Sequence, residues 1–143
     1  MARTFPLAGL LRLRQLQQER AAGELAAANA RDKDARRARS EAYAALEASA
    51  VDAVDAATLH AIAAARASSR SMLADLEALG ARRTAEVEAA RNEFSAARAR
   101  SVGLEKLEGK YAEAEAAEDL RTEQTILDEL AGTAWHRRQK EAN

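Results

Sequence analysis

The chain has 143 residues, 48% of them hydrophobic and 31% charged, with a net charge of −1, 3% aromatic residues and no cysteine. Because 39 residues are alanines, which bury little area each, and because glycine and proline are scarce, a large globular core is excluded. The near-neutral charge exerts no global pull toward DNA or a membrane, and the lack of cysteine excludes a disulfide framework and thiolate chemistry and suits a reducing compartment.

At the N-terminus, Arg12 and Arg14 interrupt the apolar run before it reaches the length of a signal peptide. No later stretch approaches the ~20 apolar residues of a membrane span. A cytoplasmic protein is therefore expected. Thr4 with Phe5 and Pro6 reads as a helix start, since threonine caps exposed amides and proline is tolerated in a first turn. Helix one is expected over about 5–49. Its seam carries Leu7, Arg14, Ala21, Ala28, Ala35, Ala42 and Ser49 at one heptad position and Leu11, Gln18, Leu25, Asp32, Arg39 and Leu46 at the other. A sustained seven-residue repeat gives a left-handed supercoil, and small residues on one seam position draw the opposing backbone close. Asp32 and Arg39 penalise slipped registers and loosen their own zone.

A bend is expected over about 50–56, where Asp52 and Asp55 break the pattern and Asp55 or Thr58 caps the second helix. That helix, over about 57–138, is rich in Ala, Glu, Arg and Leu and contains no proline. At ~1.5 Å per residue it is far too long to be buried in a globule, so it must be a rod with a partner along its seam. The seam reads Leu59, Ile62, Arg66, Ser69, Leu73, Leu76, Gly80, Arg83, Val87, Ala90, Phe94, Ala97, Ser101 and Leu104. A fold about residue 53 sets Leu46 against Leu59 and Ile62, Leu25 near Gly80, and Leu11 near Phe94. The fold class is thus all-α: an antiparallel two-helix coiled-coil hairpin, one domain over 1–143, whose longer second helix overhangs at the C-terminus. Past Gly103 and Gly109 the apolar phase shifts toward Leu120, Leu127, Leu130, Ala134 and Trp135. A turn at those glycines, laying residues 110–138 back as a third helix, is the competing arrangement.

Candidate chemistry is sparse. His60 and His136 stand at opposite ends of the second helix, which argues against a shared metal. Carboxylate pairs such as Glu86 with Glu88, or Glu113 with Glu115, lack the dry pocket that acid–base catalysis requires. No phosphate loop, zinc signature or nucleophile elbow is present, so neither catalysis nor a cofactor is expected. The basic group of Arg31, Lys33, Arg36, Arg37 and Arg39 is interleaved with Asp32, Asp34 and Glu41 and has no aromatic companions for base stacking. Trp135, beside His136, Arg137 and Arg138, lies where an intramolecular core is least able to reach it, and tryptophan and arginine are enriched at binding hot spots.

The opening Phe5-Pro6-Leu7-Ala8-Gly9-Leu10-Leu11-Arg12-Leu13-Arg14-Gln15-Leu16, with Ala21, Ala22 and Leu25 after it, resembles the N-terminal helix of the FliJ family of flagellar export proteins. The closing Arg121-Thr122-Glu123-Gln124-Thr125-Ile126-Leu127-Asp128-Glu129-Leu130-Ala131 resembles its C-terminal signature, a Glu-Gln pair and then Asp-Glu and a hydrophobic residue. The resemblance implies a non-enzymatic, stalk-like coiled coil of the flagellar type III export apparatus. Its implied partners are the export ATPase FliI (with FliH), the export gate FlhA and export chaperones. Its implied place is the cytoplasmic periphery of the inner membrane face at the flagellar base, with motility and chemotaxis depending on it. Carried over by residue, the ATPase contact falls on Leu10, Arg14, Arg121, Gln124, Asp128, Leu130 and Trp135. The gate contact falls on Tyr43, Leu46, Ile62 and Leu73. The alternative from another class is a coiled coil that binds a membrane surface or nucleic acid, through Phe5 to Leu16 or the Arg31 to Arg39 cluster; salt-sensitive lipid or DNA binding would favour it.

Overall fold

A computed structural model describes residues 3–49 and 51–142. Two α-helices account for nearly all of them: α1 (Ala8–Ala48, 41 residues) and α2 (Ala56–Glu141, 86 residues). No strand occurs among the described residues. The fold is all-α, an antiparallel hairpin with the longer helix second. α2 runs without interruption through Gly103 and Gly109, neither of which has a positive φ, so the three-helix arrangement does not form.

The helix ends are set by local chemistry. Pro6 and Leu7 form the entry turn to α1, closed by the Ala8 amide donating to the Phe5 carbonyl at 3.1 Å. At its far end the Ser49 hydroxyl donates to the Leu46 carbonyl at 2.7 Å. Asp55 caps α2: its Oδ1 accepts the Thr58 amide at 2.7 Å, and its carbonyl accepts the Leu59 amide at 3.0 Å. Arg138 and Lys140 stand in the last turn of α2, where the helix dipole favours cations.

The chain packs as two compact units. The bend unit comprises Leu16–Arg98; the terminal unit comprises the residues up to Gln15 and those from Ala99 onward. In the bend unit, the alanines spaced by seven line the contact. Ala28 is 1% exposed, and Ala21, Ala35, Leu73 and Ala97 are also buried. Leu25, Leu46, Ile62, Leu76, Val87 and Phe94 are half-buried around them. Three seam assignments need correction. In the terminal unit, Leu7 is exposed and Ala8 faces inward instead. Arg39 is exposed and Ala38 faces inward instead; Leu59 is exposed and Thr58 takes its place. Asp32 does lie at the seam, held by Arg36 Nε at 2.8 Å and by the Thr84 hydroxyl at 3.3 Å. Beside it, Ala35, Gly80 and Ala81 leave a groove of about 240 Å³.

In the terminal unit, Leu11 and Ser101 are buried, and Phe5 packs on Tyr111 with ring centroids 5.6 Å apart. Arg3 lies 3.7 Å from Glu115, and Gln15 Nε2 donates to Glu105 at 3.4 Å. Phe5 therefore meets Tyr111, and Leu11 packs in the same unit as Ser101 and Tyr111, not in the unit that holds Phe94.

The register differs from a fold about residue 53. Partnered residues, such as Ser49 with Arg66, Asp32 with Thr84, Tyr43 with Glu77 and Arg3 with Glu115, have numbers that total about 115 to 120 rather than 106. Leu46 consequently faces the Leu73 region and not Leu59, and Gly80 faces Asp32 and Ala35 and not Leu25. The connection explains the difference. α1 ends at Ala48 and α2 begins at Ala56, a stretch of chain long enough to reach ~23 Å, so α2 starts beyond the end of α1 and its first ten residues, ~15 Å of helix, run back to the level of Ser49. Val51, Val54 and Leu59, exposed on that projecting tip, are the consequence, with Val54 97% exposed.

Candidate docking surfaces

The C-terminal part of α2 is where the terminal unit leaves a helix uncovered. Every described residue after Glu115 is exposed except Gly132, which is half-buried. Leu120, Ile126, Leu127, Leu130 and Trp135 are all more than half exposed; Leu127, for instance, is 60% exposed.

The direction of these side chains matters more than their number. Ser101, Tyr111 and Glu115 mark the face of α2 turned toward α1. Continued at heptad spacing, that face carries Glu118, Thr122, Thr125, Glu129 and Gly132, which are polar or small. Leu120, Leu127 and Ala134 lie five residues further on, about 150° around the helix. The leucine stripe is therefore not a continuation of the hairpin contact. A partner must approach it from another side.

Arg121, Asp128 and Trp135, spaced by seven, form one edge of this stripe, and Gln124 lies between that edge and the leucines. Gln124 Nε2 donates to Asp128 Oδ1 at 3.0 Å, and Arg121 lies 3.7 Å from Glu118. The structure thus brings Arg121, Gln124, Asp128, Leu130 and Trp135 onto one surface. Leu10 and Arg14 belong to α1 in the same unit, Leu10 exposed and Arg14 half-buried. Sequence reasoning left Leu120, Leu127 and Ile126 out of this set, although the seven-residue spacing of Leu120 and Leu127 was a usable signal.

Where α1 begins, Arg3, Phe5 and Ala8 face Glu108, Tyr111, Glu115 and Asp119 across a cleft of about 490 Å³. Burial, with Glu115 beside it, raises the Tyr111 pKa above its ordinary value of 10. On α1, Leu7, Leu10 and Leu13 are exposed while Leu11 is buried, so this end has an outer apolar face as well as an inner one.

The four gate residues do not share a surface. Tyr43 is exposed, its hydroxyl donating to Glu77, a bond that raises its pKa above 10. Leu46 and Ile62 are half-buried, and Leu73, 6% exposed, is part of the packing. Among the described residues of the bend unit, the large aliphatic side chains that are exposed are Leu16, Val51, Val54, Leu59 and Met72. In the basic cluster, Arg36 is bound by Asp32, and Arg31 lies 3.7 Å from Glu86. No group of three or more His, Cys, Asp or Glu residues among those described is placed to hold a metal ion.

A family model described as the flagellar FliJ protein matches residues 3–140. The chain belongs to the FliJ family. Membership covers both helices and makes the chain a component of the flagellar export apparatus, at the flagellar base. No curated protein and no solved structure matches it. No described helix of this FliJ-family chain is long and apolar enough to cross a membrane.

Proposed function

We propose that this FliJ-family chain is a non-enzymatic stalk that binds the export ATPase FliI, held with FliH, through the C-terminal part of α2. The observation that carries this reading is the leucine stripe of Leu120, Leu127 and Leu130, edged by Arg121, Gln124, Asp128 and Trp135 and covered by nothing else in the described chain. A solvent-exposed apolar stripe with an aromatic and an arginine at its edge has the composition of a binding hot spot. Leu10 and Arg14 extend the contact onto α1. The export gate FlhA binds the bend half through exposed Tyr43, with Leu46 and Ile62 half-buried, Ile62 nearer the tip, and Leu73 acting by holding the two helices together. Chaperone delivery and regulation of the ATPase result from holding both partners, at the cytoplasmic periphery of the membrane, and motility and chemotaxis are the cellular readouts.

The test is turnover by the export ATPase of the same organism, with and without the chain, repeated with a version ending before Arg121. Stimulation lost on truncation supports the contact. Stimulation that survives truncation moves the contact elsewhere, and no binding by either version removes the reading. Vesicles of anionic lipid serve as the control for the exposed leucines of α1, since binding there that falls steeply with salt would favour a membrane-surface role.

A further inference from the structure

Going beyond the export reading, and not depending on it, we propose that the leucine stripe of α2 pairs with the same stripe of a second copy, antiparallel, as a reversible dimer of the free protein. In heptad terms the stripe has Leu120, Leu127 and Ala134 at one core position and Glu123, Leu130 and Arg137 at the other. All of these residues are exposed.

The polar pair decides the orientation. A parallel, in-register pair stacks Glu123 on Glu123 and Arg137 on Arg137, two like-charge layers in a short core. An antiparallel pair centred between Asp128 and Glu129 sets Leu127 against Leu130 of the second copy and Glu123 against small Ala134. It also lays the apolar stem of Arg137 across Leu120 with its guanidinium within reach of Glu123. On the flank, Asp119 then faces Lys140 of the second copy. The charge along the segment fits the same arrangement, since Glu113, Glu115, Glu118 and Asp119 lie at one end and Arg137, Arg138 and Lys140 at the other. The two-fold relation makes each contact occur twice. Six core layers span ~27 Å of helix, enough for a weak dimer.

The full chain is measured by sedimentation from low to several hundred micromolar. A concentration-dependent monomer–dimer equilibrium is expected. Leu127→Glu with Leu130→Glu weakens it at least about a hundredfold, with helicity by circular dichroism unchanged because both side chains are exposed. Asp119→Lys or Lys140→Asp alone weakens it, and the two in one chain restore it. The natural chain has no cysteine, so a spin label at Gln139→Cys reports orientation alone: ~30 Å or more between labels for the antiparallel pair, under ~20 Å for the parallel one. A monomer throughout, a dimer that survives the double leucine change, a short label distance, or no restoration by the charge swap each overturns the proposal. A monomer whose double leucine variant fails to stimulate the export ATPase gives the stripe to that partner alone and leaves the export reading standing.

Discussion

Ser101 sits in a costly environment in the terminal unit. It is 0% exposed, and its hydroxyl has no hydrogen-bond partner. A buried hydroxyl without a partner costs about 1–3 kcal/mol. Ser101→Ala removes that cost and improves helix propensity, so it should stabilise the chain by about 1 kcal/mol in denaturant unfolding; a loss of stability would mean that the hydroxyl is satisfied in solution. Two carboxylates link stability to pH. The Asp55 pKa is lowered by its hydrogen bonds to Thr58, and the Glu86 pKa is lowered first by its hydrogen bond from Arg83 and then by the charges of Arg83, Arg31 and Arg82. Both favour the folded state above the ordinary carboxylate pKa of about 4 and lose that effect as pH falls through the depressed folded values. Asp55→Asn with Glu86→Gln keeps the cap and the hydrogen-bonding shape but cannot titrate. Its melting temperature should fall less than that of the natural chain between about pH 5 and pH 3, and an equal fall would assign the acid sensitivity to other groups.

At the scale of the helix, the heptad pattern was legible almost in full. Alanines at sevens, with Leu11, Leu25, Leu46, Leu73, Leu76 and Phe94 between them, are the residues that turn inward, because a two-helix contact admits only one narrow face of each helix. The misassigned positions, Leu7, Arg39 and Leu59, sit beside a small or β-branched neighbour that turns inward in their place: Ala8, Ala38 and Thr58. The register was not legible. Periodicity fixes which face of a helix is buried but not which turn meets which, and the reach of residues 49–55 decided that. The continuity of α2 was ambiguous for a related reason, since glycine is compatible with both a turn and a helix. Gly103 and Gly109 sit within the helix with nothing within 4 Å of an added Cβ. Gly103→Ala and Gly109→Ala should therefore each stabilise the chain by about 0.5–1 kcal/mol, whereas a turn at either position would make alanine destabilising.

For the molecule as a whole, the family and the exposed C-terminal stripe were legible from residue patterns, as was the hairpin. The gate residues show the limit. Tyr43, Leu46, Ile62 and Leu73 were selected by type, yet exposure depends on the side from which the opposite helix approaches, and Leu73 turns inward where Met72 does not. The register has one further consequence, for the path by which the chain folds. Ser49 and Arg66 are 17 residues apart in sequence, and Gln15 and Glu105 are 90 apart. Closing the larger loop first costs about 1.5 kcal/mol more chain entropy than closing the smaller one. Closing it after the smaller one costs little. Pairing therefore starts at the bend and advances like a zipper toward the termini, and opening runs in reverse. Amide exchange along α1 should be slowest in the turns nearest the bend, around residues 42–46, and quicken steadily toward Ala8, without a sharp step; uniform protection along α1 would mean all-or-none opening. Each partial opening then frees the first turns of α1 while the bend stays closed, so a partner that captures Phe5 or Leu11 could do so without unfolding the rest.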